Sequence, residues 1–205
     1  MRPSRLLECA DFPCQDVNKK CFVIPDIEIE PDKIRTLMIS EAPPENPSDY
    51  FYAAENPFYL QTTVQAFNDA GAKVKSIQDL IDMGVYLTTA IKCGKTGYGI
   101  KATTIEECSH ILEQEISLFP HVKAFMLMGD VAIKAVNYIA KRAGEERVIP
   151  AGSTYKIRNG KYYFRGKRAF PSYLQAGPSF FIEKTKRKMI AEDIAAALAL
   201  AKTMR

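Results

Sequence analysis

A short apolar run that stops abruptly sets the frame for the fold. Residues 37–39 (Leu-Met-Ile) have the length and character of a buried strand. The run ends at Glu41 and a pair of prolines, which cannot continue a sheet because proline lacks a backbone N–H. Glu41 is therefore predicted at the carboxyl end of a core strand, where open α/β sheets bind ligands. A strand that simply ends in a polar turn remains an alternative.

Two later segments repeat the pattern of a buried strand followed by a helix. Strands are predicted over residues 85–93 and 124–128, and a short final strand is predicted over residues 169–174. Helices are predicted over residues 60–70, 103–119, 130–139 and about 178–202, and Thr103 with Glu106 has the spacing of a capping box. The order predicts an α/β fold of three layers, α/β/α, around a short and mainly parallel sheet.

The segment 155–164 has the pattern of a β-hairpin. Asn159-Gly160 supplies two residues that tolerate the positive φ of a type I′ turn. Six basic residues lie in or just after this segment: Lys156, Arg158, Lys161, Arg165, Lys167 and Arg168. A solvated hairpin and a contact with a phosphate backbone both fit this pattern.

Length and composition favour one globular domain, residues 1–205, with a cysteine-containing N-terminal segment over residues 1–34. The chain has 205 residues, 47% hydrophobic and 25% charged, and no apolar run near the length that spans a bilayer. No secretory signal is expected after the basic start. We therefore expect a monomeric, cytoplasmic protein without a membrane segment. The net charge of +4 permits an anionic partner.

The five cysteines are expected to be thiols or metal ligands, because disulfides are rare in the cytoplasm. Cys9, Cys14 and Cys21 lie in a proline-broken segment, with four and six residues between them, which is not the spacing of a zinc knuckle. Metal binding and free thiols both remain open for this segment. Cys93 and Cys108 lie fifteen positions apart across a predicted strand–helix junction, so they can approach one point.

Four motifs, in order, resemble the uracil-DNA glycosylase superfamily and in particular its iron–sulfur branch. The motifs are Ser40-Glu41-Ala42-Pro43-Pro44, Asn56-Pro57-Phe58-Tyr59-Leu60, Thr88-Thr89-Ala90-Ile91-Lys92-Cys93 and Phe170-Pro171-Ser172. They are similar to the family's Gly-Glu-Ala-Pro-Gly loop, its base-stacking segment, its Thr-Asn-x-x-Lys-Cys strand end and its His-Pro-Ser loop. The resemblance implies hydrolysis of the N-glycosidic bond of a damaged base, uracil or another deaminated base, extruded from DNA during repair.

The resemblance also implies roles for individual residues. Glu41 would orient water or stabilise the cation-like sugar, and Phe58 would stack on the base. The substrate contacts that it implies come from Ser40, Ala42, Pro43, Thr89, Phe170 and Ser172. The DNA contacts that we expect come from Lys92, Tyr173, Gln175, Arg165, Lys167 and Arg168.

Two residues depart from the family pattern. Thr89 stands where the family has an asparagine, and a single hydroxyl cannot reproduce the two hydrogen bonds of an amide. Phe170 stands where the family has a histidine, and it has no donor for the departing base. The alternative is therefore a nucleic-acid or nucleotide-binding relative that keeps the fold and the metal cluster without excision. A third interpretation is a metalloprotein with a small-molecule substrate.

The resemblance further implies a 4Fe–4S cluster held by thiolates. Cys93 and Cys108 match two of the family's ligands, and two of Cys9, Cys14 and Cys21 would complete the set. Zinc bound by four thiolates is the alternative.

Overall fold

The computed structural model describes residues 1–97 and 99–202. Within these residues the strands are β1 Val17–Asn18, β2 Thr36–Ser40, β3 Val85–Thr89, β4 Gly94–Lys95, β5 Ala124–Met128, β6 Tyr162–Phe164 and β7 Lys167–Ser172. The helices are α1 Phe58–Asp69, α2 Ile77–Asp82, α3 Ala102–Ser117, α4 Asp130–Arg142, α5 Thr154–Ile157, α6 Ser179–Ile182 and α7 Lys184–Lys202. Short 3₁₀ turns cover Pro3–Arg5, Lys19–Cys21, Pro31–Lys33 and Pro47–Asp49.

The main sheet has five strands in the order β3-β2-β5-β7-β6. β2 pairs in parallel with β3 and β5, and β5 pairs in parallel with β7, whereas β6 is antiparallel to β7. Every residue of β2, β3 and β5 is buried. Strands that are buried on both faces appear in a sequence as continuous apolar runs, which is why these three strands could be predicted. The predicted α/β class with a mainly parallel sheet is confirmed.

Alternate strand residues belong to two separate hydrophobic clusters. Leu37 and Ile39 of β2 lie in a cluster with residues of α3 and α4, and Met38 lies in a cluster with residues of α1 and α7. This division follows from the period of two in a strand, which points successive side chains to opposite faces. Leu7 and Ile29 of the N-terminal segment belong to the first cluster, so this segment shares a core with the sheet.

One tyrosine hydroxyl forms hydrogen bonds with the outer edge of strand β3. The Tyr52 hydroxyl donates to the carbonyl oxygen of Leu87 over 2.7 Å and accepts from the backbone N–H of Leu87 over 3.1 Å. Burial raises the pKa of Tyr52 well above its ordinary value. Tyr52 thus satisfies the two backbone groups that a further strand would otherwise pair with.

The hairpin lies further along the chain than the sequence predicted. Residues 154–157 form α5 instead of a strand, and the turn between β6 and β7 is Arg165-Gly166, with φ of 50° and 72°. A type I′ turn needs positive φ at both central residues, and here an arginine adopts it. The predicted turn at Asn159-Gly160 is wrong because Ile157, just before it, is buried in the core as part of a helical turn.

The predicted capping box at α3 is also wrong. The helix begins at Ala102, one residue before Thr103, and no side chain of its own N-cap residue bonds to it. Asp16 caps it instead: its carboxylate accepts from the Lys101 N–H over 2.6 Å and from the Thr104 hydroxyl. A carboxylate at this position satisfies free N–H groups and complements the helix dipole.

Among the helices of residues 1–97 and 99–202, none has the length and apolar character needed to cross a bilayer.

Candidate functional site

Glu41 follows β2 directly, as predicted, in a loop that is tied to its neighbours. The Ala90 N–H donates to the Ser40 carbonyl oxygen over 2.8 Å, and the Ile91 N–H donates to that of Glu41 over 2.9 Å. The Lys95 N–H donates to the carbonyl oxygen of Pro43 over 3.1 Å. Backbone hydrogen bonds therefore fix the Glu41 loop to the chain that follows β3.

The Glu41 carboxylate lies against the start of α4. A Cβ atom on Gly129 would lie 2.6 Å from Glu41 Oε1, so this approach requires glycine. Gly129 also has φ of 96°, a backbone conformation that side chains disfavour. It precedes the thirteen-residue helix α4, whose N-terminus favours a negative charge.

Two further polar groups lie near this carboxylate. The Lys95 Nζ atom is 3.7 Å from Glu41 Oε2, and the side chains are 29% and 18% exposed. Burial and then the charges of Glu41 and Asp49 raise the pKa of Tyr59 to about 12. A carboxylate, an ammonium and a phenol thus share the carboxyl end of β2. Glu41 was predicted from the sequence, whereas Lys95 and Tyr59 were not.

Phe58 lies one residue from Tyr59, but its ring has a different neighbour. Its centroid is 6.2 Å from that of Phe181. Adjacent helical residues point in directions about 100° apart, given 3.6 residues per turn. The ring that is influenced by the charge of Glu41 is that of Tyr59, and the half-buried Phe58 lies beside α6.

Ser40 and Gln175 belong to an internal hydrogen-bond network. Both are buried, and Gln175 Nε2 lies 3.0 Å from the Ser40 hydroxyl and 3.4 Å from that of Thr63. Ala42 and Pro43 are buried beside them. Gln175 therefore supports the Glu41 loop from inside, and in this structure it offers no surface to DNA.

Thr89 is fully buried at the end of β3, in register with Ser40. Its hydroxyl is near enough to the buried hydroxyl of Tyr50 to counteract in part the effect of burial, which raises the pKa of Tyr50, but within residues 1–97 and 99–202 neither hydroxyl has a hydrogen bond of normal geometry. A buried hydroxyl without a partner carries a desolvation cost.

Phe170 and Ser172 lie within β7, in agreement with the strand predicted over residues 169–174. Phe170 is 9% exposed, and the Arg168 guanidinium lies 4.6 Å from its ring centroid. The Ser172 hydroxyl donates to Asp193 over 2.6 Å, and Asp193 pairs with Arg158 over 2.7 Å. Burial raises the pKa of Asp193. Phe170 and Ser172, which were expected to contact substrate, thus contact Arg168 and Asp193 of the protein itself.

Lys92 is also fully buried. Its ammonium pairs with the carboxylate of Glu115 and donates to the Thr88 hydroxyl over 2.8 Å, and the Tyr86 hydroxyl donates to the same carboxylate over 2.7 Å. This network holds the end of β3 on α3. Lys92 is therefore part of the interior in this structure and not of a DNA-contacting surface.

The other expected DNA contacts fall at two places. Tyr173 follows β7, with the Lys186 ammonium 5.4 Å from its ring centroid. Lys167 and Arg168 begin β7, at the opposite end of the sheet from Glu41, and Arg165 in the turn before them pairs with Glu113. A groove of about 1070 Å³ lies at this end, lined among others by Arg35, His121, Lys123, Lys167, Arg168 and Lys202. The structure does not bring these cations together with Glu41.

Four of the five cysteines form a group. Cys9, Cys14 and Cys108 each raise the pKa of Cys93, and burial together with these charges raises it to about 12. Burial raises the pKa of Cys108 to about 11, and Cys9 and Cys14 contribute to that shift as well. Cys21 lies instead beside Gly94 and the Glu45 carbonyl oxygen. Cys9 and Cys14 are thus the N-terminal cysteines whose charges contribute to the raised pKa values of Cys93 and Cys108.

One backbone donor faces these thiols: the Lys92 N–H donates to Cys108 Sγ over 3.2 Å. Burial raises the pKa of Cys14, and the neighbouring Thr104 side chain, whose hydroxyl donates to Asp16, partly counteracts this effect. In the described part of the chain, no three His, Cys, Asp or Glu side chains converge closely enough to hold a single metal ion. A 4Fe–4S cluster has a metal at each of four corners, so its ligands stand further apart than those of one ion.

Neither the protein-family models nor the curated proteins with which the chain was compared match it.

Proposed function

We propose that this chain is a divergent relative of the uracil-DNA glycosylase superfamily, of its iron–sulfur branch, that excises a deaminated base from DNA. The observation that carries the proposal is the position of Glu41. Its partly exposed carboxylate lies at the carboxyl end of the parallel strand β2, against Gly129 and beside Lys95. The two hydrophobic clusters on the sheet also support the three-layer α/β/α arrangement of that family.

In the proposed reaction, water hydrolyses the bond between the sugar and an extruded base. The bond from C1′ to the base nitrogen breaks, and its electron pair leaves with the base. The water oxygen bonds to C1′, one of its protons stays on the new sugar hydroxyl, and the other is transferred to the base. Glu41 stabilises the cation-like sugar or orients the water, a role that carboxylates have in the hydrolysis of sugar bonds.

The exposed side chains after β7 supply a surface for DNA. Phe181 and Ile182 are 44% and 78% exposed, and the Phe181 ring packs on Phe58. Apolar side chains of this kind are used to wedge between bases and unstack them. Lys184 and Lys186 follow on α7, where they can contact phosphates. Phe58 therefore belongs to the same apolar surface as the proposed wedge.

The test compares the wild-type protein with Glu41→Gln on oligonucleotides that carry uracil, hypoxanthine or xanthine, followed by alkali cleavage. We expect excision of at least one base by the wild type and a loss of about 10²–10³-fold in the variant, as for removal of one charge-stabilising group. DNA affinity should not fall. Glu30→Gln, an exposed carboxylate at the other end of β2, is the matched control. Equal rates for wild type and Glu41→Gln would remove Glu41 from the mechanism.

The second candidate is a nucleic-acid or nucleotide-binding relative that has lost excision. Thr89 and Phe170 favour it, because both are buried, Phe170 has no donor, and Thr89 has one hydroxyl in place of an amide. The same experiment separates the two candidates. Binding to all three oligonucleotides without release of any base supports this second function.

We also propose that Cys9, Cys14, Cys93 and Cys108 hold a 4Fe–4S cluster, with zinc as the alternative. Such a cluster would fix the N-terminal segment to the chain after β3 through Cys93 and to α3 through Cys108, and its ligands must lose their protons to bind. Serine at any of the four positions should abolish iron and sulfide binding, whereas Cys21→Ser should not. Loss of the cluster in Cys21→Ser would contradict this assignment. A thiolate-held cluster also fits a reducing, cytoplasmic location.

A further inference from the structure

Lys95 is held beside Glu41 by its backbone as well as by its charge. It lies in β4, which pairs with β1 in the register Val17 to Lys95. Its N–H donates to the Pro43 carbonyl oxygen, in the loop that carries Glu41. The N-terminal segment and the Glu41 loop thus fix Lys95 from two sides, and the ammonium points to the carboxylate.

The contact between the two charges is loose and open to solvent. The distance of 3.7 Å exceeds that of an N–H···O hydrogen bond, which is about 2.7–3.2 Å. Exposed ion pairs of this kind contribute little to stability. The pair Lys92–Glu115 is different, since both of its side chains are buried. Lys95 and Glu41 are therefore placed where a ligand can reach both charges.

The proposed reaction develops opposite charges on its two products. The sugar becomes cation-like and the departing base becomes anion-like as the electron pair moves onto it. A carboxylate matches the first charge and an ammonium matches the second. Phe170 is buried without a donor, and the Thr89 hydroxyl carries no charge. The site therefore needs a positive group for the base, and Lys95 supplies one next to Glu41.

We propose that Lys95 is a catalytic residue, whose ammonium stabilises the negative charge on the departing base while Glu41 stabilises the sugar. This inference rests on the proposed function and adds a residue to it. It applies to a base whose exocyclic oxygen takes up negative charge, as in uracil. The proton that the released base acquires comes from the attacking water, so Lys95 acts in its charged form throughout.

The test uses two bases that differ in how well they leave. Single-turnover excision is measured on oligonucleotides carrying uracil or 5-fluorouracil, whose fluorine withdraws electrons and stabilises the anion without help. Lys95→Met should lower excision of uracil by about 10²–10³-fold, the effect of one such donor, and excision of 5-fluorouracil by clearly less. Lys95→Arg should recover much of the rate, because guanidinium keeps the positive charge.

Lys33→Met is the matched control, since Lys33 forms an exposed ion pair with Glu30 beyond the other end of β2. It should excise both bases at the wild-type rate, and thermal unfolding should show that every variant is folded. Equal losses on both bases, or no loss, in Lys95→Met would overturn the inference and leave the proposed function intact. A wild-type protein that excises neither uracil nor 5-fluorouracil overturns this inference, and the proposed function falls with it only if hypoxanthine and xanthine are not excised either.

Discussion

The two ends of the sheet differ in how their charged groups are held. At the carboxyl end, backbone hydrogen bonds join the loops after β2 and β3, and the Gly129 N–H donates to the Ser172 carbonyl oxygen over 2.9 Å. At the amino end, a groove of about 1070 Å³ is lined by cations on several elements. This groove is thus at the opposite end of the sheet from the Glu41 carboxylate and its neighbours Gly129 and Lys95. Preorganised groups, and not cavity size, are what stabilise a developing charge.

Two arginines at the amino end of the sheet form hydrogen bonds with the backbone of the protein. Arg35 donates to the Ile34 carbonyl oxygen over 3.2 Å, and Arg168 donates to that of Gly160 over 2.8 Å. These bonds hold the chain segments that enter β2 and β6. The comparison teaches that a run of basic residues in the sequence can build a turn instead of a binding surface.

The largest difference between the two ends is expected in the free energy of unfolding after removal of a buried charge at the carboxyl end. Lys92→Met should lower the free energy of unfolding by about 3–5 kcal/mol, because it leaves the Glu115 carboxylate buried without its partner. Lys167→Met, at the exposed start of β7, should change it by less than about 0.5 kcal/mol. Urea denaturation measures both. The double variant Lys92→Met/Glu115→Leu should recover part of the loss; equal effects of the two single variants would contradict the comparison.

A smaller loss of unfolding free energy is expected from substitution of Gly129, the glycine that faces Glu41. Gly129→Ala should cost about 1–3 kcal/mol of unfolding free energy, because alanine disfavours its φ of 96°. The new methyl would also displace the carboxylate and lower excision. Gly71→Ala is the matched control, since Gly71 has φ of 86° and open space around it. If both variants excise the base at equal rates, contact with Gly129 does not position Glu41.

The smallest effect concerns the salt dependence of DNA binding. Lys186→Ala, on the proposed DNA surface, should reduce the slope of log affinity against log salt by about 0.9, the value for one lost phosphate contact. Lys167→Ala should leave the slope unchanged. Fluorescence anisotropy over a series of salt concentrations measures this slope. A reduced slope in Lys167→Ala alone would move the DNA surface to the amino end.

The sequence predicted those parts of the fold that depend on neighbouring residues. β2, β3, β5 and α1 follow from apolar runs or helical periodicity, and Glu41 follows from the stop after β2. The cap of α3 by Asp16 joins positions far apart in the chain, so no local pattern predicts it.

The candidate site was predicted only in part for the same reason. Lys95 reaches Glu41 because β4 pairs with the N-terminal segment, a contact between distant residues. The effect of Cys9 and Cys14 on the pKa of Cys93 also depends on the folded path of residues 1–34 and not on spacing. Tyr59 is adjacent to Phe58, which was expected to face the base. The orientation of α1 determines that the charge of Glu41 affects the ring of Tyr59.

The hydroxyl of Tyr52 has a consequence for self-association. By bonding to both backbone groups of Leu87, it takes the place of a neighbouring chain along the outermost strand. A second copy of the protein therefore cannot pair with β3 at Leu87 without displacing Tyr52. Tyr52→Phe, which removes this oxygen atom, would leave both backbone groups of Leu87 free to pair with another polypeptide.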